Sequence, residues 1–133
     1  MYQEEVKVSY GEGRYKINIT SVVTSDGISL TITGGEKPHV GGTALAVPGQ
    51  NTVRHKRSCD IWICPVPGHK DTEIAGPVAE MVCVETGYVT AVVAGIHIDR
   101  AEKREIRILV ENSREAARLL IEQIRQIQGN GNA

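Results

Sequence analysis

Alternating apolar and polar residues mark the first part of the chain as β-structure. Val6, Val8 and Tyr10 alternate with polar residues over positions 4–10, and a second alternating segment covers residues 14–24. Successive side chains of a strand point to opposite faces, so each segment predicts a strand with one apolar face.

The dipeptide Asp26-Gly27 predicts a tight hairpin between the second strand and a third. Type I′ turns favour this pair because both turn residues need positive φ. The resulting two-residue loop pairs Ser25 with Ile28, Val23 with Leu30 and Ser21 with Ile32. This register places the apolar residues of both strands on one face, as a half-buried hairpin requires.

Three later segments also have strand character. Residues 40–47 and 88–98 are apolar on both faces, which is typical of strands buried on both sides, and the segment 88–98 is predicted to be central. Residues 58–66 form a further predicted strand that is closed by prolines. The polar segment 48–57 ends in four basic residues, and we interpret it as a solvated hairpin loop.

Two helices are predicted in the second half of the chain. The first runs over 71–85, with Asp71 or Thr72 as N-cap and Gly87 just after its end. Pro77 lies too late for a first turn, so it predicts a kink or a delayed start near residue 76.

The second helix is predicted to be capped by Asp99 and to carry one apolar stripe at helical spacing. Beyond it, residues 128–133 are expected to form a flexible tail, which leaves about 2–127 ordered. The stripe consists of Ile106, Leu109, Val110, Ser113, Ala117, Leu120, Ile124 and Ile127.

The element order β-β-β-β-β-α-β-α predicts an α+β fold with a single domain over residues 1–133. The expected architecture is a two-layer sandwich, in which a mostly antiparallel six-stranded sheet carries two helices on one face. The length and the 41% of hydrophobic residues are sufficient for one real core, although the chain has no Phe.

Composition excludes several classes of partner. The net charge of −1 gives no general attraction to nucleic acid or to an anionic membrane, and no segment is long and apolar enough for a span. No signal peptide is visible, and three cysteines without framework spacing suit the reducing cytoplasm. Cys59 and Cys64 are predicted to point to opposite faces, and these two and Cys83 are interpreted as packing residues.

Strand directions bring chemically useful residues to one edge of the sheet. The strand 58–66, the first helix and the strand 88–98 form a βαβ crossover, so these two strands should run in the same direction. The strand 40–47 should run antiparallel to 58–66, which places its beginning at that edge too. The residues expected to meet there are Lys37, His39, His69, Lys70, His97 and Asp99.

Three interpretations of this cluster remain open. Glycines, basic residues and two helix N-termini suit a phosphate. Three histidines with Asp71 or Asp99 could instead hold a metal ion, although the spacings match no metal motif and no metal site is assigned. The histidines could also simply cap loops. No nucleophile motif is evident, so no catalytic residue is assigned.

Three short motifs resemble the family of the small D component of gallate decarboxylase. They are Gly-Gly-Glu-Lys-Pro-His-Val-Gly-Gly (34–42), Pro-Gly-His-Lys-Asp (67–71) and Val-Val-Ala-Gly-Ile-His-Ile-Asp (92–99). The resemblance extends from about residue 15 to residue 124. That family is described as a prenylated-flavin chaperone domain, similar in fold to proteasome assembly chaperones.

The resemblance implies a non-catalytic accessory protein that helps a UbiD-type decarboxylase acquire prenylated FMN. It also implies a homodimer, which would cover the strands that are apolar on both faces. The cofactor-binding residues expected for prenylated FMN or FMN are Gly34, Gly35, Lys37, His39, Gly41, Gly42, Gly68, His69, Lys70, Gly95, His97 and Asp99.

Two alternative functions are compatible with the sequence. One is a small metal- or histidine-dependent enzyme that acts on a phosphorylated or carboxylated metabolite. The other is an assembly chaperone that works through protein contacts alone.

Overall fold

The sheet and its two helices follow the predicted order in the computed structural model, which describes residues 3–49 and 58–131. A short 3-10 helix, Gly13–Tyr15, lies between the first two strands. The elements are β1 (Gln3–Tyr10), β2 (Ile17–Thr24), β3 (Gly27–Gly35), β4 (Gly42–Pro48), β5 (Cys59–Pro65), α1 (Thr72–Thr86), β6 (Val89–His97) and α2 (Lys103–Gly131).

The six strands form one open mixed sheet in the order β1-β2-β3-β6-β4-β5. The neighbours β3 and β6 are parallel, and every other neighbouring pair is antiparallel. Both β5 and β6 run antiparallel to β4, so they share a direction although β4 separates them. The predicted α+β class, the central position of β6 and the common direction of the crossover strands are therefore confirmed.

One face of the sheet carries the hydrophobic core. Registered neighbours such as Ile19, Ile32 and Ala94 lie side by side across β2, β3 and β6, and all three are fully buried. The helix α1 packs over β4, β5 and β6, whereas α2 packs over β1 and β2. The aliphatic core predicted from the composition thus fills the space between one sheet face and two helices.

The opposite face of the sheet is uncovered by the described part of the chain. Leu45 lies between Ala91 of β6 and Trp62 of β5, and its side chain is 39% exposed. Trp62 is 58% exposed. No helix among the described residues is long and apolar enough to span a bilayer.

The hairpin register differs from the prediction by two residues. Val23 pairs with Ile28 and Ser21 with Leu30, so the loop residues are Ser25 and Asp26. The Thr24 hydroxyl accepts from the amides of Asp26 and Gly27 and donates to the Gly27 carbonyl, which closes the turn one residue earlier. A two-residue shift preserves the faces, so the apolar residues still share one side.

The helix ends also differ in part from the predictions. The helix α1 begins at Thr72, so of the two outcomes predicted near residue 76 the delayed start is wrong, while Gly87 ends the helix in the left-handed conformation as predicted. Asp99 does not cap α2, which begins four residues later at Lys103. At the other end α2 continues to Gly131, and the flexibility expected for residues 128–133 stays a prediction.

The stripe of α2 is buried as predicted at most positions, but Val110 and Ile127 are only partly buried and the first member is exposed. Ile106 is 45% exposed, while Leu120 and Ile124 are fully buried.

The cysteines are only partly the packing residues that the sequence predicted. Cys83 is buried and Cys59 packs against the core, but Cys64 is exposed on the uncovered face. Burial raises the pKa of the Cys59 thiol above its ordinary value. The predicted loop 48–57 lies mostly outside the described residues.

Candidate functional site

One edge of the sheet gathers the motifs singled out in the sequence. The ends of β3, β5 and β6 and the beginning of β4 meet there, because β4 runs against the other three. The strand ends carry Gly34, Gly35, Gly42, Gly95 and His97, and the connecting loops carry Lys37, His39, Gly41, Gly68, His69, Lys70 and Asp99. The predicted site residues are therefore neighbours, while their role in binding a cofactor stays a prediction.

The loop 36–41 lies against the end of β6. The Glu36 amide donates to the His97 carbonyl at 2.7 Å, and the Gly41 amide donates to the Ala94 carbonyl at 2.8 Å. A Cβ atom at Gly95 would come within 1.4 Å of the His39 carbonyl oxygen, so only glycine allows this approach. His39 is consequently held by backbone contacts on both sides.

Asp71 connects this loop to α1 and β6. Its side chain is only 7% exposed, with Oδ1 accepting from the Ile96 amide at 3.0 Å and Oδ2 lying 3.1 Å from His39 Nε2. The residue occupies the N-cap position of α1 but makes no side-chain capping bond. The sequence predicted a cap at Asp71, whereas the structure uses the carboxylate to organise the site.

The three histidines lie close together around this carboxylate. The ring centroids of His39 and His69 are 4.8 Å apart, and those of His39 and His97 are 6.1 Å apart. His69 Nδ1 lies 3.9 Å from Asp71 Oδ2. The cluster joins three segments that are far apart in sequence, which is why no metal-motif spacing was visible.

The outer part of the site is a network of paired charges. His97 Nε2 lies 2.8 Å from one oxygen of Asp99, and Lys37 Nζ lies 3.6 Å from the other. The hydrogen bond from His97 and the positive charge of Lys37 hold the pKa of Asp99 below its ordinary value. Glu36, which the sequence analysis missed, accepts from the Asp99 amide at 3.2 Å and lies 3.5 Å from Arg14.

Gly41 permits a close approach of the Asp71 and His39 side chains to the backbone. A Cβ atom there would lie 1.7 Å from Asp71 Oδ2 and 2.8 Å from His39 Nε2. The space beside Gly41 is thus occupied by the site's own side chains, and the role of Gly41 in binding a cofactor stays a prediction.

The N-terminus of α2 is also occupied by the protein itself. The Glu105 carboxylate accepts from the Glu102 amide at 3.1 Å, which is one half of a capping box. The other oxygen accepts from the Tyr15 hydroxyl at 2.8 Å. The bond from Glu102 and then that from Tyr15 lower the pKa of Glu105 below its ordinary value. A carboxylate of the chain itself therefore lies at the N-terminus of α2, and phosphate binding at the helix N-termini stays a prediction.

A cavity of about 200 Å³ opens beside the histidines, between α1, the end of β6 and the beginning of α2. Its polar rim consists of His69, Lys70, Asp71, Glu73 and His97. Lys70 forms no ion pair with any described residue. The lower wall is apolar and consists of Ile74, Ile96, Ile98, Ala101, Ile106, Leu109 and Val110.

The partial exposure of Ile106 follows from its position in this wall. The residue begins the apolar stripe of α2, is 45% exposed and lines the cavity. Helical spacing identified it as apolar and inward-facing but could not separate core from cavity wall.

Comparison with models of protein families shows to which family the chain belongs. Residues 11–125 match the model of the prenylated flavin chaperone LpdD-like domain. The chain belongs to this family. A family of chaperones consists of accessory proteins, so membership agrees with the predicted non-catalytic role of this LpdD-like chain.

A solved structure shows the same fold as this LpdD-like chain. It is a chain from the crystal structure of a chaperone complex for yeast 20S proteasome assembly, with a TM-score of 0.61 and 12% identity. The match covers 95% of this chain and 98% of the other. No functionally curated protein sequence matches the chain. The structural likeness extends to the fold, as the sequence resemblance implied.

Proposed function

We propose that this chain is a prenylated-FMN chaperone that supplies a UbiD-type decarboxylase with its cofactor in the cytoplasm. The observation that supports this proposal most directly is the cavity with an apolar wall and a histidine-rich rim. A flavin has the matching character, since it combines a flat apolar ring system with a phosphate. Membership of the LpdD-like family supports the same substrate class.

The flavin phosphate would contact Lys70 and His69 at the rim of the cavity. Lys70 is the cationic group of the rim that lacks an ion-pair partner among the described residues, whereas Lys37 is already paired with Asp99. Phosphate recognition by a charge-assisted hydrogen bond needs such an available donor. The ring system would lie against His97 and the apolar wall.

The size of the cavity sets a limit on this mode of binding. Pockets that enclose a drug-sized ligand commonly span about 300–1,000 Å³. At about 200 Å³ the cavity can bury only part of a flavin, so the remainder stays exposed. Partial burial suits a chaperone, because the cofactor must leave the carrier when it is transferred.

Binding of FMN and prenylated FMN tests this function. We expect saturable binding by calorimetry, and Ile106→Glu should weaken it about tenfold because it introduces a charge into the apolar wall against which the ring system would lie. Lys70→Ala should weaken it to a similar degree. Leu119→Glu is the matched control, since Leu119 is 38% exposed on the same helix and does not line the cavity.

Two outcomes count against the proposal. Absence of saturable flavin binding by the unmodified chain would contradict it directly. Activation of a UbiD-type decarboxylase that is unaffected by Ile106→Glu and Lys70→Ala would indicate an assembly chaperone that acts through protein contacts alone.

We also propose that the chain acts as a homodimer through the uncovered face of the sheet. The cross-strand neighbours Leu45 and Trp62 present an exposed apolar surface there, with Ala91 beside them. Exposed apolar surface of this kind is typical of protein contacts. A second copy presents the same surface, so an isologous pairing buries both at once.

A further inference from the structure

Three side chains of the histidine cluster direct ligand atoms toward one point. The atoms contributed by His39, His69 and Asp71 all lie within 4.8 Å of one another. The shortest separation is 3.1 Å, between His39 Nε2 and Asp71 Oδ2, and His69 Nδ1 lies 3.9 Å from the same oxygen. The carboxylate is buried and the two rings are partly exposed.

Backbone hydrogen bonds fix one polar atom of His39 and one polar atom of Asp71, and leave the other atom of each for a ligand. His39 Nδ1 lies 2.9 Å from the Lys37 carbonyl oxygen, which can only accept, so Nδ1 carries a proton. In the neutral ring the Nε2 atom therefore presents a lone pair. Asp71 Oδ1 is engaged by the Ile96 amide, which leaves Oδ2 as the inward atom.

Two acceptor atoms thus face each other at 3.1 Å. Such a contact is repulsive unless a proton or a metal ion lies between the atoms. A proton would satisfy His39 and Asp71 but gives no role to His69, which approaches the same oxygen from another loop. A metal ion accounts for all three groups.

The distances also fit a metal ion. Imidazole nitrogen and carboxylate oxygen bind zinc at about 2.0–2.2 Å, so two ligands at roughly 90–110° are about 3.0–3.5 Å apart. The separation between His39 and Asp71 lies in this range. His69 needs a shift of about 1–2 Å on the same geometric criterion, because the ligand atoms lie up to 4.8 Å apart, and its exposed ring on a loop permits this.

We propose that His39, His69 and Asp71 form a binding site for a divalent transition-metal ion of the zinc type. Two imidazoles and one carboxylate favour such ions over Mg²⁺ or Ca²⁺, which prefer all-oxygen ligands. The backbone bonds to His39 and Asp71 are the outer-shell contacts that commonly orient metal ligands. Because His69 and Asp71 also line the cavity, the ion borders it and keeps coordination positions for a further ligand.

His97 lies outside this ligand set. Its Nε2 atom is engaged by Asp99 at 2.8 Å, and its ring is 6.1 Å from that of His39. It therefore provides a histidine control from the same cluster.

Metal titration without any flavin tests the site. Untagged protein is treated with a chelator, dialysed, and titrated with Zn²⁺ by calorimetry and with Co²⁺ by visible absorption. We expect one equivalent to bind and His69→Ala to weaken affinity about 100-fold, since it removes a ligand. His97→Ala should bind like the unmodified chain, and circular dichroism verifies that both variants are folded.

Each possible result decides the proposal. The proposal is overturned if the unmodified chain shows no saturable binding of metal. It is also overturned if His69→Ala binds metal as tightly as the unmodified chain, or if His97→Ala loses as much affinity as His69→Ala. A folded Asp71→Asn variant that retains full affinity also overturns it. Because the titration contains no flavin, failure of the proposed cofactor function leaves this result unaffected, and the reverse also holds.

Discussion

At the scale of single residues, Asp71 shows how one side chain can serve a site instead of its helix. The residue sits at the N-cap of α1, yet its two oxygens contact the Ile96 amide and His39 Nε2. The helix loses a side-chain cap, which ordinarily contributes about 1 kcal/mol. The site gains a buried carboxylate whose orientation is fixed from both sides.

Gly41 provides a direct test of this arrangement. We predict that Gly41→Ala lowers the free energy of unfolding by about 1–3 kcal/mol, because the added Cβ would overlap Asp71 Oδ2. Urea denaturation measures the effect. Gly129→Ala is the control, since its Cβ meets nothing within 4 Å, and it should leave stability unchanged or slightly raised. Equal stability of the two variants would show that the carboxylate can move away freely.

The sequence placed the three histidines and Asp99 at one edge of the sheet but left two possible roles open for Asp71. His39, His69 and His97 each follow or precede a recognisable strand end, so strand direction alone placed them at one edge. Asp71 could not be separated from an ordinary capping residue, because the same position serves both purposes. Its role depends on Ile96 and His39, which are 25 and 32 residues away.

At the scale of elements, the beginning of α2 is joined to the rest of the fold by Glu105. The carboxylate binds the Glu102 amide within the helix and the Tyr15 hydroxyl at the entrance of β2, and Arg14 lies 3.3 Å away. This contact fixes the helix end that forms part of the cavity wall. Loss of the contact should loosen α2 against β1 and β2.

We predict that Glu105 makes stability depend on pH. Its pKa is lowered in the folded chain, so the ionised form stabilises the fold above the ordinary value of 4.5, and this contribution is lost as pH falls through the folded pKa. Glu105→Gln should therefore be less stable than the unmodified chain at pH 7, with a smaller difference near pH 3. Urea midpoints at both pH values measure this.

The control for this prediction is Glu111→Gln, which changes an exposed carboxylate on the same helix. The difference in stability between Glu111→Gln and the unmodified chain should be the same at pH 7 and near pH 3. If the difference between Glu105→Gln and the unmodified chain were the same at both pH values, the stabilisation would come from packing of Glu105 and not from its charge.

The directions of the strands could be predicted from the sequence, whereas the residues that form the turns between them could not. The crossover rule gave the common direction of β5 and β6 even though β4 lies between them, because direction does not require adjacency. The hairpin register was wrong by two residues, since the Thr24 side chain closes the turn before Gly27. A local side-chain bond thus overrode a strong dipeptide preference.

At the scale of the whole molecule, the two faces of the sheet have different roles. One is closed by both helices and carries the core, and the other leaves Leu45 and Trp62 exposed. The apolar character of β4 and β6 on both faces was visible in the sequence. What covers the second face depends on a partner, which the pattern of one chain does not identify.

If the chain associates with itself through this face, a charged side chain introduced there should prevent the association. Trp62→Glu should convert a homodimer to a monomer, because an unpaired carboxylate would be buried in the interface. Light scattering coupled to size-exclusion chromatography measures the mass. Thr20→Glu, on the same face but in β2, is the control and should leave the dimer intact. A Trp62→Glu variant of unchanged mass would place the dimer contact elsewhere.

Because His39, His69 and Asp71 are far apart in sequence, the proposed metal site would link the supply of the metal ion to the amount of folded protein. The unfolded chain holds these residues apart, so a ligand that needs all three binds the native state alone. By mass action, a free ligand at 100 times its dissociation constant adds about 2.7 kcal/mol to the free energy of unfolding. A cell that lacks the ligand would therefore lose the chaperone to proteolysis sooner than a cell that holds it in excess.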